Sequence, residues 1–148
     1  MDELLQLTFL GVGNAGALDL GNSSAVLETA DGLPLLLIDC GPSVLSAFAG
    51  RYGSLPKAIF ITHLHFDHVG GLENLFFRLA SRAEQASLVR LFVPVPIVDR
   101  LHQRLADDAC QLAEGGVTVN LSVAPAVSSV AFSMIAGSSD SMAMAGCR

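Results

Sequence analysis

Three of the chain's four histidines fall within six residues, in the run His63-Leu64-His65-Phe66-Asp67-His68. In an extended segment, residues two apart point to the same side, so His63 and His65 can converge on one ion. Asp67 and His68 follow the bend of the chain and can converge on a second. Imidazole nitrogen and carboxylate oxygen suit Zn²⁺, Fe²⁺ or Mn²⁺, and no neighbouring thiolate demands zinc. The other reading of such a run is a surface loop that happens to be rich in histidine. Its context argues for a metal site: an apolar segment precedes it and Gly70-Gly71 follows, where the backbone can turn tightly. Loops at the C-terminal ends of buried strands are where α/β domains carry their sites.

The elements that must position this run are legible from periodicity. Residues 4–10 read as a strand, followed by a loop containing Gly11, Gly13 and Gly16. Residues 23–29 alternate as a second strand, Ala30-Asp31-Gly32 marks a turn, and 33–38 is a continuous apolar run that reads as a strand buried on both faces. Asp39-Cys40-Gly41-Pro42 stops it. Val44, Leu45 and Phe48 then recur at helical spacing over 43–51, and 57–62 is another buried strand. After the histidine run the pattern predicts a helix over 72–82, a strand over 88–95, a helix over 98–112 and a strand over 117–123. Strands alternating with helices indicate an α/β layered domain. Residues 138–148 have no usable periodicity, and from Gly115 onward only Asp140 and Arg148 are charged.

The run Thr62 to Leu72, Thr-His-Leu-His-Phe-Asp-His-Val-Gly-Gly-Leu, resembles the signature of metallo-β-lactamase-fold hydrolases. Phe9-Leu10-Gly11-Val12-Gly13, Asn22-Ser23-Ser24 and Leu37-Ile38-Asp39-Cys40-Gly41 stand in the order that family shows, and look more like its ribonuclease Z and phosphodiesterase branch. The resemblance implies a metallo-β-lactamase-like αββα sandwich, of which this chain would supply the N-terminal half and a little more. It implies residues 1–124 as an incomplete domain of that kind, with 125–148 as a Ser/Ala/Met-rich tail. It further implies two zinc ions, Fe²⁺ or Mn²⁺ being possible, with His63 and His65 on one and Asp67 and His68 on the other. A metal-bound hydroxide would attack an ester or a phosphodiester, and Asp67 would also handle the nucleophile's proton as a catalytic residue. Asp39 would sit outside the ligands and orient a histidine through its other ring N–H; a helix cap before Ser43 is a second, compatible role.

The family completes its site with a third histidine, a bridging aspartate and a last histidine further along. After His68 this sequence has only His102, in a predicted helix flanked by Arg100 and Arg104, where a solvated histidine is the ordinary reading. Zinc normally takes at least three protein ligands. The alternative expectation is therefore a truncated, non-catalytic remnant, or a subunit needing a partner half. A truncated gene product, a fragment of a longer enzyme and a chain completed by another chain all fit. Such a half would expose an apolar face and self-associate through it.

Composition bounds the remaining classes. The chain has 148 residues, 51% hydrophobic and 15% charged, with a formal charge of −6 and a mean hydropathy of +0.54. Disorder is excluded. With one lysine, Lys57, and no basic run, general nucleic-acid or anionic-membrane binding is not expected, although a small-molecule or RNA substrate at a local patch remains open. No stretch reaches about 18 apolar residues, so no membrane span is expected. The acidic start and three unpaired-looking cysteines, Cys40, Cys110 and Cys147, point to the cytoplasm. Gly11-x-Gly13-x-x-Gly16 matches a dinucleotide fingerprint superficially, but no good helix follows it, so a tight loop is expected.

Overall fold

A computed structural model describes residues 4–80, 89–101, 103–104, 117–124 and 129–136. Strands β1 (Leu5–Gly11), β2 (Ser24–Thr29), β3 (Pro34–Ile38), β4 (Ala58–Phe60) and β5 (Arg90–Phe92) form one sheet in sequential order. The β1–β2 and β2–β3 pairs are antiparallel, and the β3–β4 and β4–β5 pairs are parallel. The parallel connections carry the helices, since a parallel pair needs a crossover. Helix α1 (Val44–Tyr52) joins β3 to β4. Helices α2 (Phe66–Val69) and α3 (Leu72–Ala80) follow β4.

Cross-strand partners share a face of the sheet. Val26, Leu37, Ile59 and Leu91 are paired in turn across β2 to β5, and each is at most 2% exposed. This stripe is the floor of the core. Val44, Leu45 and Phe48 of α1 cover it, with Val69, Leu72, Leu75, Phe76 and Leu101. At one edge, the buried carboxylate of Glu28 receives hydrogen bonds from Gln6, Thr8, Arg51 and Tyr52. That network ties the end of α1 to β1 and β2.

The other face is also apolar, and it is not covered in the same way. Leu7 pairs with Leu27 and Leu27 with Leu36; Phe9, Ala25, Ile38, Phe60 and Phe92 form the neighbouring row. Leu5, Leu7 and Phe9 are half or more exposed. The expectation that 33–38 is buried on both faces is corrected here. In β3 only Leu37, on the face under α1 and α3, is fully buried; Leu36 and Ile38 on the second face are part-buried, and Leu35 is exposed where the pairing with β2 shifts register.

Most boundaries fall within two or three residues of expectation, and β4 and β5 are shorter than the runs that announced them. The glycine loop leads into a single 3-10 turn, Leu18–Leu20, not a helix. Its glycines instead let two backbones touch: a Cβ on Gly11 would meet Asn22 O at 2.4 Å, and one on Gly13 would meet Ala17 O at 2.5 Å. Helical residues begin at 98; His102 and 105–112 lie outside the described residues. Strand β6 (Val117–Ala124) pairs with a strand the pattern did not announce, β7 (Ser129–Ala136), inside the segment read as a tail. Among the described residues, no helix is long and apolar enough to cross a membrane.

Candidate metal centre

Strands β3 and β4 run parallel, and both chain segments leaving their C-terminal ends enter the site. Asp39, the first residue after β3, takes a left-handed backbone at φ +60°. Aspartate is among the few side-chain-bearing residues that adopt this region readily. The turn lets Asp39 N–H donate to Phe60 O at 2.8 Å and Cys40 N–H donate to His68 O at 2.7 Å. Gly71 N–H in turn donates to Cys40 O at 2.8 Å. The loop after β3 and the histidine run are thus joined backbone to backbone. Gly41 is required for that approach, because a Cβ there would lie 2.0 Å from Asp67 O.

The Asp39 carboxylate is 5% exposed as a residue and fully engaged. Thr62 donates to it twice: N–H to Oδ1 at 2.8 Å, and the hydroxyl to Oδ2 at 2.8 Å. Asp39 Oδ2 lies 2.8 Å from His68 Nδ1. With the proton on Nδ1, the lone pair of His68 is left on Nε2, which lies 3.5 Å from Asp67 Oδ2. His63 Nε2 and His65 Nδ1 are 3.1 Å apart. Two ligands bound at about 2.0–2.1 Å on a tetrahedral ion stand about 3.3 Å from one another. Both pairs therefore have the spacing of donors that share an ion, and their nitrogen and oxygen chemistry fits zinc. The His63 and His68 rings are 4.0 Å apart, so the two pairs adjoin.

Short-range structure explains the convergence. His65 has extended dihedrals, φ −67° and ψ 150°, at the entry to α2, and His68 and Val69 N–H both donate to its carbonyl. The extended part aligns His63 with His65, and the single helical turn then swings Asp67 and His68 back towards them. Arg104 Nη1 donates to Leu64 O, the carbonyl between the two histidines, at 3.3 Å.

His63, His65, Asp67, His68 and Asp39 are thus brought into one cluster. Asp39 is committed to Thr62 and His68, and Ser43 at the start of α1 makes no side-chain cap. Among the described residues there is no group of three or more side chains placed to hold one ion. Sequence reading missed Thr62, Arg104 and the Gly41 approach. Thr62 and Arg104 act across gaps of 23 and 40 residues, for which spacing carries no signal. Cys40 is buried; burial and the neighbouring Asp39 carboxylate push its thiol up to about 12, which keeps the free thiol protonated at neutral pH.

Comparison with known proteins gives this geometry a family. The family model described as "Anti-Pycsar protein Apyc1" matches residues 5–130. The Anti-Pycsar protein Apyc1 of Paenibacillus xerothermodurans is 37% identical over 100 residues, 66% of this chain and 38% of that protein. Zinc phosphodiesterase ELAC protein 2 of Pan troglodytes is 33% identical over 100 residues, 63% of this chain and 12% of that protein. Among solved structures, the metallo-β-lactamase fold protein YhfI from Bacillus subtilis aligns with a TM-score of 0.56 at 20% identity, covering 88% of this chain and 57% of that one. That likeness shows the metallo-β-lactamase fold. The chain spans about two fifths of the length of the Apyc1 relatives it matches.

Proposed function

The chain belongs to the Anti-Pycsar protein Apyc1 family, and from that premise we propose that it serves a metal-dependent phosphodiesterase, with the ions held by His63, His65, Asp67 and His68. One observation carries this reading: two donor pairs at ion-sharing distances, the second aimed by Asp39. The name of the ELAC relative, a zinc phosphodiesterase, supports both the metal and the substrate class. Fe²⁺ and Mn²⁺ suit the same donors. When bound, zinc supplies Lewis-acid polarisation of a phosphoryl oxygen and lowers the pKa of water towards about 7.

The chain's own residues do the positioning. Asp39 holds the Nδ1 proton of His68, so that Nε2 is free to bind. Thr62 holds Asp39. Asp67, half-buried beside His68, is placed to accept the proton released when water attacks. The partners in this reading are a phosphodiester, small molecule or RNA, and a second copy of the chain through the face of Leu5, Leu7 and Phe9. The site of action in this reading is the cytoplasm.

A second reading is favoured by the donor count. Among the described residues, four donors divided two and two fall short of the three or more protein ligands that zinc takes, which fits a non-catalytic half that needs a partner to complete the site. Metal analysis and hydrolysis of bis(4-nitrophenyl) phosphate separate the two. The enzyme reading expects stoichiometric zinc, iron or manganese, and a rate that falls by more than about 100-fold in His65→Ala, since even outer partners of ligands are worth 10- to 100-fold. Absence of stoichiometric metal, or hydrolysis indifferent to that substitution, sinks it.

A further inference from the structure

The hydroxyl of Thr62 meets three acceptors or donors, and a hydroxyl has one proton to give. Its oxygen lies 2.8 Å from Asp39 Oδ2, 3.0 Å from Asp39 Oδ1 and 2.9 Å from His63 Nδ1. An ionised carboxylate only accepts, so the proton points to Asp39. A hydroxyl turned the other way would set two oxygens 2.8 Å apart with no proton between them. With its proton on the Asp39 side, the hydroxyl can only accept from His63, and His63 Nδ1 must carry a hydrogen. The neutral ring then has its lone pair on Nε2, the nitrogen that faces His65 Nδ1 at 3.1 Å. The same carboxylate reaches His68 directly, with Oδ2 2.8 Å from Nδ1.

We propose that Thr62 is a positioning residue that passes the orienting effect of Asp39 on to His63, so that one carboxylate sets the ring tautomer of a candidate ligand in each donor pair. The inference rests on the metal reading above. Which ring nitrogen of a histidine is free to bind is set by the hydrogen bond that the other one makes. Thr62 is itself fixed for this task, since its N–H donates to Asp39 Oδ1 at 2.8 Å. His65 lacks such support: among the described residues, its ring nitrogens are within hydrogen-bond distance of His63 alone. A histidine free in water favours the Nε2–H form, so an Nδ1–H ring at His63 is one that its surroundings impose.

Two-bond ¹H–¹⁵N correlation reads the tautomer of each ring. On the metal-free chain at about pH 8, above the ordinary histidine value of about 6.5, His63 should show Nδ1 as the pyrrole-type nitrogen and Nε2 as the pyridine-type one. Thr62→Val removes the hydroxyl and keeps the branched shape, and should shift His63 towards the Nε2–H form. Thr62→Ser restores the hydroxyl and should keep Nδ1–H. Zinc affinity, by competition with a chromophoric chelator, should fall about 10- to 100-fold in Thr62→Val and hold in Thr62→Ser. A role confined to supporting the loop would lower affinity without moving the tautomer. An Nε2–H ring at His63 in the parent chain, a tautomer unmoved by Thr62→Val, or the same loss of affinity in both variants would overturn the proposal. The parent measurement needs no variant, zinc or turnover. It therefore decides the relay separately from zinc uptake, whose failure sinks the metal reading.

Discussion

At the scale of single residues, the site depends on what Asp39 accepts and from where. A buried carboxylate needs partners for its lone pairs. Here Thr62 supplies a backbone and a hydroxyl donor, and His68 supplies the third contact. Asp39→Asn keeps the shape but presents an amide to His68, and it can no longer stabilise an imidazole that gives its Nε2 lone pair to a cation. Zinc affinity, measured by competition with a chromophoric chelator, should fall about 10- to 100-fold. An unchanged affinity would mean that the contact only holds the loop. The four candidate ligands were legible in the sequence because they lie within six residues. The Asp39 contact spans 29 residues and entered only through the family resemblance. Thr62 opens the family signature, but no role for it could be read there, since a threonine ending an apolar strand is ordinary.

At the scale of elements, Glu28 links three of them. It stands on the core face of β2, next to Val26, where an apolar residue would ordinarily be expected. Donation from Thr8, then Tyr52, then Arg51 holds its carboxyl below the usual glutamate range, against the opposing effect of burial. A carboxyl depressed in the folded state stabilises the fold fully above its unfolded pKa of about 4.3, and that contribution is lost as pH falls through the folded value. Thermal stability should therefore decline below about pH 4.3. In Glu28→Gln this part of the decline should be missing and the midpoint at neutral pH lower. A Glu28→Gln chain with the same acid profile as the parent would remove Glu28 from the account. Helix α1 was visible from Val44, Leu45 and Phe48, which stack on one side. Helix α2 was not, because four residues, Phe66–Val69, complete barely one turn and leave no period to detect. Nor was the one-sided burial of β3 visible, since an unbroken apolar run reads the same whether one face or two are covered.

At the scale of the whole molecule, the sheet has one face packed under helices and one that is apolar and open along β1. Leu5, Leu7 and Phe9 stand side by side there, with no charged residue among their direct cross-strand partners. Apolar surface gathered in this way drives association. Sedimentation should show a concentration-dependent oligomer, and Leu7→Lys with Phe9→Lys should shift it towards monomer without loss of secondary structure. A parent chain that stays monomeric as concentration rises would rule out the second copy as partner.

The row that begins at Phe9 has a further consequence, because it runs into the site. Ile38 belongs to it and is followed at once by Asp39, and Phe60 belongs to it and supplies the carbonyl that Asp39 N–H meets. Whatever comes to lie on Phe9, Ile38, Phe60 and Phe92 expels water from the rim next to Asp39. Charge interactions strengthen as the local dielectric constant falls, so the grip of Asp39 on His68 is tighter under a covered sheet than under a bare one. The cover and the chemistry are then linked through solvent, without any residue having to move.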